Sequence, residues 1–179
     1  MNKISGKIIN HDSSYTGTIE FSDKIESVYK NKQSDFENII IPGFIDLHCH
    51  GGNGFDTMAG LSSIKEISKY HLKHGTTTLL PTTLTASFDN TINAVEGIDH
   101  FIVHNINKTN ILGVHLEGPF INPNKLGAQP PFTQLPNIDF IEKIKEKVKI
   151  KVITLAPELE GAEACIDYLI DKNIRVQIG

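Results

Sequence analysis

From Pro42 onward the sequence alternates between short apolar runs rich in strand-forming residues and longer runs with helical periodicity. The alternation predicts the order β-α-β-α-β-α-β-α-β, which is typical of parallel strands joined by crossover helices. Upstream of Pro42, three β-rich segments are separated by polar turns, and they span residues 3–9, 17–21 and 25–30. We therefore predict an α/β fold with two domains, residues 1–41 and residues 42–179.

Local signals predict the ends and the buried faces of the helices. Ser63 followed by Glu66 is typical of a capping box at a helix start, and Gly75 stands where a C-terminal cap is expected. A later helix repeats its apolar residues at helical spacing, and these are Ile138, Ile141, Ile144 and Val148. The charged residues between them predict a solvated outer face.

Bulk properties limit the classes of partner. The net charge of −4 at pH 7 gives no basic surface of the kind that nucleic acid or an anionic membrane requires. No apolar stretch approaches the roughly 20 residues of a membrane-spanning helix, and the N-terminal residues lack the pattern of a signal peptide. Two cysteines, Cys49 and Cys165, cannot form a disulfide framework. We expect a cytoplasmic protein that binds neither nucleic acid nor membranes.

The run FIDLHCH, residues 44–50, predicts a strand that ends in two histidines. Alternate residues of a strand point the same way. One predicted face therefore carries Phe44, Asp46, His48 and His50. The opposite face, predicted to pack against helices, carries Ile45, Leu47 and Cys49.

Two imidazoles at i and i+2 on one strand face can bind a single metal ion, and zinc or iron suits them. The alternative is a pair of surface or hydrogen-bonded histidines. Because the pair ends a predicted parallel strand, where the active sites of α/β proteins lie, we favour metal ligation by His48 and His50.

A second strand end, in the run GVHLEGPF, offers a carboxylate. The same alternation predicts His115 and Glu117 on one face. Glu117 is predicted to coordinate or bridge a metal ion, the alternative being a structural carboxylate that caps backbone N–H groups. For His115, direct ligation and orientation of a neighbouring ligand are both open.

The remaining histidines and cysteines are predicted to lie either in the core or at solvated positions. Cys49 and Cys165 are predicted to be small core residues. Solvated positions on the first two helices are predicted for four histidines, namely His71, His74, His100 and His104. Glu158 follows a strand and is predicted either to reach the site or to anchor a loop.

Four segments together resemble the N-acetylglucosamine-6-phosphate deacetylases of the amidohydrolase superfamily. They are PGFIDLHCHGG, GTTTLLPTTLTAS, GVHLEGPFINPNKLGAQPP and ITLAPE. The resemblance implies a metal-bearing (β/α)8 barrel joined to a small β-sandwich. Residues 1–41 would then be the N-terminal part of the sandwich, and residues 42–179 the first four to five βα units of a TIM-type barrel.

The resemblance also implies roles for individual residues. His48 and His50 match the histidines of members that hold two metal ions, and Glu117 matches the metal-ligating glutamate. The implied cofactor is one or two divalent ions, Zn²⁺ or Fe²⁺. A loop lining the sugar site is implied for Gly127, Ala128 and Gln129, although some members have histidine in place of Gln129. The fourth strand ends without the lysine that bridges two metals in many other amidohydrolases.

The activity implied by the resemblance is hydrolysis of the acetamido group of N-acetylglucosamine 6-phosphate to glucosamine 6-phosphate and acetate. Family members form homodimers and continue past the fifth strand to further histidine ligands, phosphate contacts and a general-base aspartate. This sequence contains no counterpart of that base, so we expect the 179-residue chain to be catalytically incomplete by itself. The alternatives are another amidohydrolase-type N-acyl deacylase and a truncated, non-catalytic binding or interaction module.

Overall fold

The computed structural model describes residues 1–31, 37–104 and 109–179. The chain divides into two compact units, Met1–Gly43 and Phe44–Gly179. Within the described ranges, none of the helices has both the length and the apolar character needed to span a bilayer.

The Met1–Gly43 unit is a four-stranded sheet. Its strands are β1 (Asn2–Ile9), β2 (Ser14–Phe21), β3 (Ile25–Lys30) and β4 (Ile39–Ile40). The order is β3-β2-β1-β4, in which β1, β2 and β3 pair antiparallel and β4 pairs parallel to β1. Glu20 on β2 pairs with Lys3 on β1 and accepts a hydrogen bond from Ser27 on β3 at 3.0 Å, so its carboxylate ties the three strands together.

The Phe44–Gly179 unit alternates strands and helices as predicted. Its first elements are β5 (Phe44–Cys49), β6 (Gly51–Gly52), β7 (Phe55–Asp56), a 3₁₀ turn (Thr57–Ala59), α1 (Leu61–Lys73), β8 (Thr76–Pro81) and α2 (Phe88–Val103). They are followed by β9 (Asn110–Ile111), β10 (Val114–Glu117), α3 (Ile138–Lys145), β11 (Ile150–Leu155), α4 (Ala162–Asp171) and β12 (Arg175–Ile178).

The larger strands of this unit run parallel. One sheet has the order β5-β8-β9 and another the order β10-β11-β12, with parallel pairing in both. A parallel bridge between Thr82, just after β8, and His115 on β10 connects them. The carboxyl ends of β5, β8 and β10 therefore lie side by side, which is the edge where functional groups of parallel α/β folds gather.

The helices cover the sheets with the apolar faces that the sequence predicts. On α3 and just beyond it, Ile141, Ile144 and Val148 are buried, whereas Ile138 at the start of the helix remains 38% exposed. Cys165 on α4 is 2% exposed within the same core, as predicted. Burial of one such aliphatic side chain contributes about 1.5–3 kcal/mol, so these helix faces hold the layers together.

The two ends of α1 differ in how well the sequence predicts them. The capping box is wrong: Gly60 is the N-cap, and the Ser63 hydroxyl instead donates to the Asp56 carbonyl at 2.6 Å. At the other end, Gly75 follows the C-cap with φ +94°, as expected of a glycine that stops a helix.

Strand β5 departs from simple alternation. The Asp46 carboxylate lies within 4.8 Å of Cys49 Sγ and of the His71 ring on α1, on the helix side of the strand. Leu47 is 49% exposed and lines a cavity with Leu80 and Val152 of neighbouring strands. The prediction that Asp46 shares the face of the histidines, and Leu47 that of Cys49, is therefore wrong. The cause is an irregularity in the β5–β8 register between Asp46 and Cys49, since one extra residue reverses the facing of those before it.

The prediction for Ile45, which was expected to share the helix-packed face with Leu47 and Cys49, is also wrong. Its side chain is 63% exposed, so it lacks the predicted packing against helices. Cys49, beyond the irregularity, is 6% exposed and belongs to the apolar core, in agreement with its predicted packing role.

Candidate metal centre

Two neighbouring strand ends bring three potential metal ligands together. His48 and His50 come from the end of β5, and Glu117 is the last residue of β10. The Nε2 atoms of His48 and His50 are 3.0 Å apart. The Glu117 Oε2 atom lies 2.8 Å from His50 Nε2 and 3.4 Å from His48 Nε2.

This triangle has the dimensions of a metal-ligand set. Donors bound at about 2.0 Å in a tetrahedral shell lie about 3.3 Å from one another, which the three measured separations bracket. Both ring nitrogens also converge on the same carboxylate oxygen. Side chains of this chemistry fit a divalent ion of the zinc or iron type.

Thr82 sets the orientation of the His50 ring. The His50 Nδ1 atom lies 3.2 Å from the Thr82 carbonyl oxygen. A carbonyl oxygen only accepts hydrogen bonds, so Nδ1 must carry the proton, and in the neutral ring Nε2 then holds a free lone pair. That lone pair points towards His48 and Glu117, which is the arrangement seen when a backbone carbonyl orients a metal-binding histidine.

Thr82 also fixes the end of β5. Its hydroxyl accepts the Cys49 backbone N–H at 2.9 Å, and its own N–H donates to the Cys49 carbonyl at 2.8 Å. Cys49 stands between the two histidines, so these bonds hold both of them against β8. Nothing in the sequence around Thr82 signals this role.

Asp46 holds the backbone rather than joining the three ligands. Its Oδ1 accepts the His48 N–H at 3.1 Å. The carboxylate itself belongs to a different group of side chains, with Cys49 and His71. Asp46 therefore supports the strand end from the side opposite the histidine rings.

His115 lies beside the three ligands and is fully buried. Its ring packs edge-on against the His48 ring, with centroids 4.9 Å apart. Its Nε2 is 2.7 Å from the Thr154 hydroxyl of β11, which in turn contacts Gln177 of β12 at 3.3 Å. Burial lowers the pKa of His115 to about 4, and the nearby His48 ring adds to this effect. The structure thus places a neutral imidazole against the His48 ring.

The contact between His50 and Glu117 favours the charged form of both groups. It raises the pKa of His50 above its ordinary value, and it lowers the pKa of the Glu117 carboxyl. Partial burial acts against both shifts and is outweighed. A cation at this position would therefore compete with a proton for His50 Nε2.

Gly118, next to Glu117, occupies a position that a larger residue would not fit. Its φ is +76°, and a Cβ atom there would lie 2.0 Å from the Thr85 hydroxyl. The close approach of the two loops lets the chain turn immediately after Glu117. The glycine therefore helps to place the carboxylate at the strand end.

The loop implied to line the sugar site has a structural anchor at Gln129. Its Oε1 accepts the Thr85 backbone N–H at 2.8 Å. Gly127 and Ala128 are exposed, and Gly127 has φ +58° with open space where a side chain would begin. The anchor connects this loop to the segment that follows β8.

The other sequence-predicted candidates lie away from the three ligands. Glu158 accepts a hydrogen bond from Asn122 at 2.7 Å, which agrees with the loop-anchoring alternative predicted for it. The His100 and His104 rings stack on α2, and His74 is exposed as predicted. His71 is not simply solvated, because it is half-buried and its Nε2 lies 3.3 Å from Cys49 Sγ.

Comparison with known proteins links this geometry to one family. Residues 39–177 match the amidohydrolase family. The N-acetylglucosamine-6-phosphate deacetylase of Bacillus subtilis (strain 168) is 34% identical over 161 residues, which are 86% of this chain and 41% of that protein. The enzyme of the same name from Lysinibacillus sphaericus is 36% identical over 144 residues, 78% of this chain and 37% of that protein.

A solved structure gives the same result. The crystal structure of N-acetylglucosamine-6-phosphate deacetylase from Thermotoga maritima matches with a TM-score of 0.84 and 30% identity, covering 99% of this chain and 48% of that one. The chain spans about two fifths of the length of the curated relatives named above.

Proposed function

The chain belongs to the amidohydrolase family, and on that premise we propose that it supplies the metal site of a deacetylase acting on N-acetylglucosamine 6-phosphate. The observation that carries the proposal is the convergence of His48 Nε2, His50 Nε2 and Glu117 Oε2 at two neighbouring strand ends. The choice of substrate is supported by the names of the Bacillus and Lysinibacillus relatives.

We infer in addition that the parallel strands β5, β8, β10, β11 and β12 are the first five of a (β/α)8 barrel. The sheet of residues 1–43 would be part of a small β-sandwich. The TM-score of 0.84 with the Thermotoga maritima deacetylase supports this architecture. In such barrels the catalytic residues stand at the carboxyl ends of the strands, where His50 and Glu117 lie.

His48, His50 and Glu117 are the residues that would hold the metal ion, and their imidazole and carboxylate donors suit Zn²⁺ or Fe²⁺. Such an ion supplies Lewis acidity, which polarises an amide carbonyl and makes water a stronger acid. The surrounding residues keep the ligands ready: Thr82 fixes the His50 tautomer, and the neutral His115 ring supports His48 without adding charge.

The reaction adds water across the amide bond of the substrate. The acetyl carbon gains the water oxygen, the C–N bond breaks, and the sugar nitrogen leaves as an amine after gaining a proton. We assign no general base among the described residues. The phosphorylated amino sugar remains the substrate proposed for the whole protein.

The test is metal binding followed by a deacetylase assay. The purified chain, stripped with a chelator, is titrated with Zn²⁺ and Fe²⁺ under anaerobic conditions, and bound metal is measured by mass spectrometry. We expect His50→Ala and Glu117→Gln to reduce binding at this site, whereas His74→Gln and Glu163→Gln, which alter exposed residues, should not. Equal metal binding by all four variants would overturn the proposed site.

The activity arm distinguishes the alternatives. Acetate release from N-acetylglucosamine 6-phosphate is measured with the chain alone and with the chain co-expressed with the part of the Bacillus subtilis relative outside the match. Metal-dependent release in either case supports the deacetylase. Release only from other N-acylated compounds would support a different N-acyl deacylase. Metal binding with no hydrolysis of any of them would support a binding module instead.

A further inference from the structure

A second group of potential metal ligands lies on the helix side of β5, opposite the histidine pair. It comprises Asp46 and Cys49 of β5 and His71 of α1, whose ligand atoms all lie within 4.8 Å of one another. Cys49 Sγ is 3.3 Å from His71 Nε2, and both atoms are 3.2 Å from the Gly51 carbonyl oxygen. None of these side chains is a ligand of the candidate metal centre described above.

The fold brings this group together by two local features. The register irregularity in β5 turns Asp46 to the same side as Cys49. The second feature is Gly52, because a Cβ atom at that position would lie 2.9 Å from His71 Nε2. The absent side chain leaves room for the imidazole to reach the strand. Cys49 is buried whereas Asp46 and His71 are half-buried, so solvent ions can reach the group from one side.

We propose that Asp46, Cys49 and His71 form a second, sulfur-containing site for a divalent zinc-type cation. Thiolate, imidazole and carboxylate are the donor types that zinc sites use, and the thiolate favours a soft or borderline ion over Mg²⁺ or Ca²⁺. In a tetrahedral zinc shell a sulfur and a nitrogen lie about 3.5 Å apart, close to the 3.3 Å measured here. The Gly51 carbonyl or a water molecule completes the shell.

Cation binding at this site exchanges the thiol proton of Cys49 for the metal ion. The cation forms a bond to Cys49 sulfur, the thiol proton is released to solvent, and His71 binds through the ring nitrogen that now faces Cys49. The competing explanation is a group held only by hydrogen bonds, in which the thiol and the imidazole both donate to the Gly51 carbonyl. That arrangement would bind no cation.

Cobalt(II) distinguishes the two explanations, because a thiolate bound to Co²⁺ gives a near-ultraviolet charge-transfer band that nitrogen and oxygen ligands do not. The metal-free chain is titrated with Co²⁺ under reducing conditions, and absorption spectra are recorded. We expect the band in the wild-type chain and in His50→Ala. It should be absent from Cys49→Ser and unchanged in Cys165→Ser, which alters the other buried cysteine.

A second variant keeps the test decisive if Cys49→Ser does not fold. His71→Gln alters a half-buried helix residue and retains the thiol. We expect it to weaken Co²⁺ binding, followed at the charge-transfer band, by roughly tenfold or more, since loss of even an outer partner of a metal ligand has that effect. Added Zn²⁺ should displace Co²⁺ and abolish the band.

Two results would overturn the proposal. One is a folded wild-type chain without the charge-transfer band at saturating Co²⁺. The other is a Co²⁺ affinity in His71→Gln that equals the wild-type affinity. The candidate centre of His48, His50 and Glu117 contains no sulfur. Whether or not that centre binds metal, the charge-transfer band therefore reports on the sulfur site alone.

Discussion

Thr82 serves the candidate metal centre through both its backbone and its side chain. The backbone carbonyl contacts the His50 ring, and the hydroxyl accepts the Cys49 N–H and donates to the Leu80 carbonyl. The residue is fully buried, so no water can replace the hydroxyl if it is removed. The geometry of the histidine pair therefore depends on a residue that does not bind metal.

Replacing this hydroxyl should be costly although the change in shape is small. We expect Thr82→Val to lower the free energy of unfolding by about 1–3 kcal/mol, because the buried Cys49 N–H loses its acceptor. Thr82→Ser keeps the hydroxyl and should have the smaller effect. Urea unfolding followed by circular dichroism compares the two, and an equal loss in both variants would contradict the role of the hydrogen bond.

Alanine substitutions at two glycines with positive φ, Gly127 and Gly118, distinguish the cost of backbone strain from the cost of steric overlap. Alanine at Gly127, where no atom lies within 4 Å of the added carbon, should cost only the strain of a left-handed residue, about 1–2 kcal/mol. Alanine at Gly118 adds an overlap with Thr85 and should also displace Glu117. We expect Gly118→Ala to lose both stability and zinc affinity.

Zinc affinity is measured by competition with a chromophoric chelator. Gly127→Ala should bind zinc as the wild type does. If Gly118→Ala also bound zinc normally, the loop contact with Thr85 would have no part in placing the Glu117 carboxylate.

At the scale of secondary structure, β5 marks how far the sequence predicts the fold. Period-two alternation correctly predicts a strand that carries His48 near its end, with His50 just beyond its last residue, and it predicts Glu117 at a second strand end. It fails for Asp46 and Leu47, because a register irregularity depends on pairing with β8, and pairing is not encoded in local alternation. The contact of His71 with Cys49 was missed for the same reason.

Other parts of the site were not predictable for different reasons. The carbonyl of Thr82 orients a ring only because β8 lies beside β5, and a backbone group leaves no sequence signature. The capping box at Ser63 failed because Asp56 offers its hydroxyl a tertiary acceptor. Local signals therefore predicted which side chains stand at the strand ends, and tertiary pairing decided how those side chains are oriented.

The loop that contains Gln129 is an element whose position depends on one side chain. Removing the hydrogen bond to the Thr85 N–H should loosen residues 122–136 without affecting the metal ligands. We expect Gln129→Ala to increase amide exchange in that loop several-fold, since one net hydrogen bond contributes about 1 kcal/mol, with zinc binding unchanged. Ala128→Ser, an exposed neighbour, is the control, and equal exchange in both variants would argue against the anchor.

The stability of the sheet that contains β1, β2 and β3 should fall in acid because of Glu20. The hydrogen bond with Lys3, followed by that with Ser27, lowers the Glu20 pKa below its ordinary value of 4.5. A carboxyl whose pKa is lowered by folding stabilises the folded state above its unfolded pKa, and that contribution is lost as pH falls through the folded pKa. Lys3 has a raised pKa, so its contribution is lost only in strong base.

We therefore expect the sheet to be less stable below about pH 4 than at pH 7. Glu20→Gln should be less stable at pH 7 and should show a weaker loss in acid. Urea titrations followed by the amide signals of β1 and β2 measure both effects. Glu26→Gln, an exposed glutamate of β3, should retain the wild-type response, and an identical response from Glu20→Gln would contradict the assignment.

On the scale of the whole molecule, the candidate metal centre connects parts of the Phe44–Gly179 unit that are distant in sequence. His48 lies on β5 and His50 directly follows it, at the sheet of β5 and β8, whereas Glu117 belongs to the sheet of β10 and β11. Among the strands that the structure describes, β8 and β10 are joined by a single bridge. A cation held by all three side chains would therefore act as a cross-link between the two sheets.

This cross-link predicts a stability increase that depends on both strand ends. A ligand that binds only the folded state stabilises it by about 2.7 kcal/mol at a free concentration one hundred times its Kd. We expect Zn²⁺ to raise the free energy of unfolding by this amount in a His71→Gln background, where the proposed sulfur site is weakened. His50→Ala and Glu117→Gln should each abolish the increase, although they alter different sheets. Urea unfolding followed by the amides of β5 and β10 tests this, and an increase that survives Glu117→Gln would mean that the carboxylate does not join the two sheets.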